Sequence, residues 1–202
     1  MCWNESVSLN TFIFSTFVLI FSYFNKVLDI YQCLLLFSIS FMQLIEFFIW
    51  RNINNTRKNK FYSEIAKLVL VSQPVFSLLT IQNKAIKYAT VVLYIVGFFV
   101  NKAFFTKKNI KYKKTTIGKN GHLRWNWMTT NPILVVIYLV CLLVPILFWK
   151  KSFIFVVFSA TLIASLILFR KDGTWGSLWC WSSNFIALYL IGSVFAKEFC
   201  KL

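Results

Sequence analysis

Apolar runs of near-membrane length recur along this chain, and they constrain its fold more than any other feature. Seven candidates stand out: 7–25, 30–50, 65–82, 86–105, 131–149, 152–169 and 176–196. An α-helix needs about 20 apolar residues to cross a bilayer. The third and fourth runs are interrupted by Lys67, Ser72, Gln73 and Asn101, positions from which polar tips can reach an interface or a neighbour. Only 14% of the 202 residues are charged and 58% are hydrophobic, against about 25% charged in average soluble domains. A soluble domain of this size has too little interior for so much apolar surface. No series of short alternating strands suggests a membrane β-barrel. The expectation is an all-α, polytopic transmembrane bundle of about seven helices, forming one domain over 1–202. The first run lacks a positively charged leader and a small-residue cleavage site, so it reads as a retained helix.

The connections alternate in character. Those at 25–29, 83–85 and 150–151 are tight, whereas 51–64 and 106–130 are long and basic. If the runs alternate across a membrane, one side holds Arg51, Arg57, Lys58, Lys60, Lys67, Lys102, Lys107, Lys108, Lys111, Lys113, Lys114, Lys119, Arg124, Arg170 and Lys171. These are 15 of the 22 basic residues. The other side holds the remaining 7, among them Lys26, Lys84, Lys150 and Lys197. The positive-inside rule then predicts a cytosolic N-terminus and an external C-terminus. A net charge of +16, carried between apolar runs, points to an anionic lipid surface as partner and away from nucleic acid. Lys107, Lys108, Lys111, Lys113 and Lys114 are the candidate headgroup contacts.

A few polar residues lie where a bilayer makes them costly. Glu46 is the one acid well inside an apolar run, and at mid-bilayer a charge costs about 2.5–3.5 kcal/mol on insertion scales. It needs a partner or a proton, and Gln43 at i−3 shares its helix face. Gln73 precedes Pro74 in the third run, where proline removes one backbone hydrogen bond and frees carbonyls. His122, the only histidine, lies before the fifth run in Gly121-His122-Leu123-Arg124-Trp125. Trp3, Trp125, Trp127 and Trp175 have an ordinary reading as interfacial anchors, and Trp179-Cys180-Trp181 lies slightly deeper. With the predicted topology, Trp3, Gln43, Glu46, Gln73, His122, Trp125, Trp179 and Cys180 all fall toward the cytosolic face. The expectation is a polar cavity there, able to take a small-molecule ligand. The cysteines Cys2, Cys33, Cys141, Cys180 and Cys200 are odd in number and form no C-x-x-C, so no disulfide framework or metal site is implied. Nothing in the sequence names a cofactor.

In order along the chain stand Met1-Cys2-Trp3 with Ser6 and Ser8, Gln43 with Glu46, Gln73-Pro74, Gly121-His122-Leu123-Arg124-Trp125 and Leu178-Trp179-Cys180. This ordered set resembles an uncharacterised family of small multi-pass membrane proteins, a domain of unknown function found in bacteria and in large DNA viruses. The pattern departs at two points: the helix-two glutamate follows the glutamine, and Asn126 stands where an acid is expected. The Phe-, Lys- and Asn-rich composition suits an AT-rich genome and hence a viral source. The resemblance implies a multi-pass membrane protein and brings no activity with it.

Three classes of function follow. A protonatable Glu46 facing a polar cavity suits binding or transport of a small solute or ion, although no T-V-G-Y-G filter is present. A structural or host-interaction role in a viral membrane needs only the basic loops. A membrane-embedded enzyme acting on a lipid would use Glu46 as base and His122 as acid, or Cys180 or Cys2 as nucleophile. No H-E-x-x-H or G-x-S-x-G motif supports the enzyme.

Overall fold

The computed structural model describes residues 4–105, 114–126, 132–149 and 152–199. The chain folds as an all-α bundle with one small hairpin. The elements are α1 (Glu5–Phe24), α2 (Ile30–Arg51), α3 (Thr56–Leu78), α4 (Lys84–Phe105), β1 (Thr116–Ile117), β2 (Leu123–Arg124), α5 (Pro132–Leu147), α6 (Ser152–Phe169), α7 (Trp175–Trp179) and α8 (Ser182–Phe199).

Local chemistry sets the helix starts. The Asn4 side chain accepts from the Val7 N–H, and the Asn55 side chain accepts from that of Lys58. Asp29 and Gln32 form a reciprocal capping box at the start of α2. Each supplies acceptors or donors that a helix terminus lacks. At the end of α1 the Val27 N–H reaches the Ser22 carbonyl, and the Lys26 N–H that of Tyr23. Lys26 carries the left-handed turn, with φ 54°, a position usually given to glycine.

Neighbouring helices form a closed ring: α1 packs on α2, α2 on α3, α3 on α5, α5 on α6, α6 on α7 and α8, and α8 back on α1. Helix α4 lies outside the ring, against α3 and α5. The main core runs through the middle, with Val18, Leu35, Leu142, Ile146, Ile154, Phe158 and Leu190 essentially inaccessible. The outside is apolar on every flank: Phe17 on α1, Leu68 on α3, Leu93 on α4 and Ile167 on α6 are each about two-thirds or more exposed. Water would penalise such a surface. Among the described residues three stretches are long and apolar enough to cross a membrane: Glu5–Phe24, Ile30–Arg51 and Trp175–Lys197. Ile133–Leu147 and Phe153–Phe169 are apolar but shorter.

Three boundaries differ from the sequence reading. Helix α3 begins at Thr56, not near 65, so the basic loop 51–64 shrinks to 52–55 and Arg57, Lys58 and Lys60 ride on helical turns. Hydropathy missed these turns because their buried face, Asn59 and Ser63, is polar. The loop expected over 106–130 contains the hairpin, with Thr116 opposite Arg124 and Ile117 opposite Leu123. The last run, expected as one helix over 176–196, is broken at Cys180-Trp181 between α7 and α8.

Candidate functional site

Two prolines and the hydroxyls that answer them tie α3, α4 and α5 together near the C-terminal ends of α3 and α5. Pro74 and Pro145 lie inside α3 and α5, and each removes one helical N–H. In both helices the carbonyl three residues before the proline receives a hydroxyl from a neighbour. Tyr94 of α4 donates to the Val71 carbonyl at 3.0 Å, and Ser77 of α3 donates to that of Leu142 at 2.6 Å. Gln73, 2% exposed, works as a hub. Its Oε1 accepts from the Tyr138 hydroxyl of α5 at 2.6 Å, and its Nε2 donates to the Ser38 carbonyl of α2 at 3.5 Å. One side chain therefore joins α2, α3 and α5.

Above this hub sits the hairpin. Its turn is closed by the Gly118 N–H on the His122 carbonyl at 2.7 Å and the Gly121 N–H on the Gly118 carbonyl at 3.0 Å. Gly121 has φ +79°, and a Cβ at Gly118 would come within 2.7 Å of the Thr174 methyl, so both positions favour glycine. Asn59 of α3 pairs two ways with Thr115: its amide donates to the Thr115 carbonyl at 3.1 Å, and the Thr115 N–H donates back to its Oδ1 at 2.9 Å. Ser63 and Thr115 hydroxyls stand 2.8 Å apart. Asn126 donates across the base of the hairpin to the Lys114 carbonyl and to Thr116 Oγ1. Asn120 donates to Thr174 Oγ1 at 2.8 Å, just before α7. Alternation through β2 and the residue after it turns Leu123 and Trp125 inward, 0% and 6% exposed, and leaves Arg124 outside.

Beside the hairpin's Trp125 lies a cavity bordered also by Gln73, Tyr138, Trp175, Trp179, Cys180 and Ser182, with Ile39, Leu70, Leu142 and Phe158 as apolar wall. The space open to the centre of a water molecule is about 20 Å³, room for one or two waters. No lining residue is acidic, basic or histidine. Trp179 is fixed by its indole N–H on the Phe158 carbonyl at 3.1 Å and by edge-to-face contact with that ring.

The structure thus brings together four of the expected site residues: Gln73, Trp125, Trp179 and Cys180. Gln43, Glu46 and His122 do not border this cavity. Gln43 and Glu46 share a face of α2 and are fully buried, while Met42, Ile45 and Ile49 of the same helix pack with Leu123 and Trp125. His122 is half-buried with its ring edge-on to Phe169 of α6 at 6.2 Å. Trp3, Lys107, Lys108, Lys111 and Lys113 lie outside the described residues. Lys114 is half-buried and contributes its carbonyl to Asn126. Sequence reasoning missed Tyr138, Asn59, Ser63, Thr115 and Asn120. A lone tyrosine in an apolar run carried no mark, and Asn59 with Ser63 at i, i+4 was the one available signal for the hairpin's seat. Compared with known families, with curated proteins and with solved structures, the chain matches none.

Proposed function

We propose that this is a multi-pass membrane protein that binds a small uncharged solute in the cavity beside the hairpin, entered from the hairpin side. The observation that carries the proposal is the lining: aromatic rings, an amide, a phenol, a thiol and a hydroxyl converge on one space with no formal charge among them. Such a wall suits a ligand that is partly apolar and hydrogen-bonding, and it argues for a neutral solute over an ion. The hairpin's attachment by side chains from α3 and from Thr174 supports a cover that can lift as a unit, because a larger ligand needs more room than the closed form gives. The charge asymmetry supports a cytosolic hairpin end, a cytosolic N-terminus, an external C-terminus and contact of the lysine-rich segment with anionic headgroups.

The test is solute analysis of protein purified in lipid nanodiscs, by organic extraction and mass spectrometry. A small neutral compound should co-purify with the parent and be depleted in Tyr138→Phe and in Cys180→Leu, which adds bulk to the wall. Equal recovery from parent and variants, or none from either, overturns the proposal. A second reading, a structural or host-interaction membrane protein, draws support from Gln73, Tyr138 and Trp179, whose polar atoms all bond neighbouring helices. Under that reading no solute is recovered and only stability changes.

A further inference from the structure

A second, smaller cavity lies deeper in the bundle, where α1, α2 and α8 meet. Ser15, Ser40 and Ser183 border it, one from each helix, with Leu19, Ile39 and Leu190 in its apolar wall. We propose that these three serines hold one internal water molecule.

Three observations carry this. The space open to the centre of a water molecule is about 10 Å³, close to what a single water needs. Ser15 and Ser183 are only 2% and 6% exposed, and neither Oγ has a hydrogen-bond partner among the described residues. A buried hydroxyl without a partner is costly, and two facing one small space share a remedy. Ser40, also 2% exposed, brings a third hydroxyl, and a water held by about three polar groups is the usual buried case. No residue around the space carries a formal charge, so the occupant is neutral.

The position gives the water a place in the architecture. Ser182 borders the cavity beside the hairpin and Ser183 borders this one, while Ile39 is part of both walls. The water is therefore the next polar station beyond Ile39. The inference stands whether or not the upper cavity binds a solute.

Brief X-ray hydroxyl-radical labelling of the full chain in nanodiscs reads it directly, because radicals form at bound water and oxidise adjoining side chains. Oxidation is expected at Leu19, Ile39 or Leu190 despite their burial, and its loss in the Ser15→Ala/Ser183→Ala double variant. Absence of label in the parent, or undiminished label in the double variant, overturns the proposal. Water-to-protein cross-peaks at the Ser15 and Ser183 amides of the unmodified protein, by solid-state NMR, need no substitution. Their presence supports the site and their absence overturns it.

Discussion

The two ends of this bundle are closed by different means. At the tight-turn end, short turns join consecutive helices, Lys26 carrying the one between α1 and α2, and side chains add to them: the Trp149 indole donates to Thr80 Oγ1 at 3.0 Å and Lys197 donates to the Asn25 carbonyl at 2.8 Å. At the hairpin end, a separate piece of chain is laid across the helices and held by side-chain amides and hydroxyls from α3 and Thr174. A closure built from a two- to five-residue turn has little freedom to open. A closure built from long-range side-chain bonds can be released without unfolding the helices beneath it. Trp125 brings the hairpin segment into the wall of the larger cavity, which reaches along α3 to Gln73.

Substitutions break this contrast in graded fashion. The largest effect is expected for Asn59→Leu. It removes both Asn59 bonds to the Thr115 backbone, each worth roughly 0.5–1.5 kcal/mol. Limited proteolysis should then cut within 114–126 well before the helices melt. Simultaneous loss of both would show that hairpin and bundle are one cooperative unit.

Trp149→Phe at the opposite end removes one hydrogen bond, while the Thr80 hydroxyl keeps its own bond to the Ser77 carbonyl. The expected loss is about 0.5–1.5 kcal/mol, seen as a lower thermal midpoint with no new proteolytic site in the hairpin. The smallest effect has the opposite sign. Lys26→Gly relieves a left-handed residue, worth about 1–2 kcal/mol, against an unfolded-state entropy cost of about 0.4–1 kcal/mol. A net gain of roughly 0.5 kcal/mol should raise the midpoint slightly. A drop would mean that the Lys26 side chain contributes more than its backbone costs.

The all-α class was legible because long apolar runs admit few other folds. Gln73, Trp125, Trp179 and Cys180 were grouped on the expectation that alternating spans carry them toward one face, and all four border one cavity. The rest was not, for identifiable reasons. The first turns of α3 bury Asn59 and Ser63 instead of apolar residues, so hydropathy assigned them to a loop. A hairpin of two-residue strands is too short for an alternating pattern to show. The split of the last helix at Cys180-Trp181 has no proline or glycine to announce it. Glu46 drew attention as an acid in an apolar run, yet it is buried in the bundle and does not border the cavity, a distinction that one-dimensional spacing on α2 does not carry.

The central claim is that the hairpin covers the cavity and that Asn59 holds it there. Cys180, buried in the cavity wall, is the reporter. With the other cysteines replaced, maleimide labelling of Cys180 in nanodiscs should be slow in the parent and should accelerate in Asn59→Leu while helical content is unchanged. Equal labelling rates in the two proteins would contradict the account.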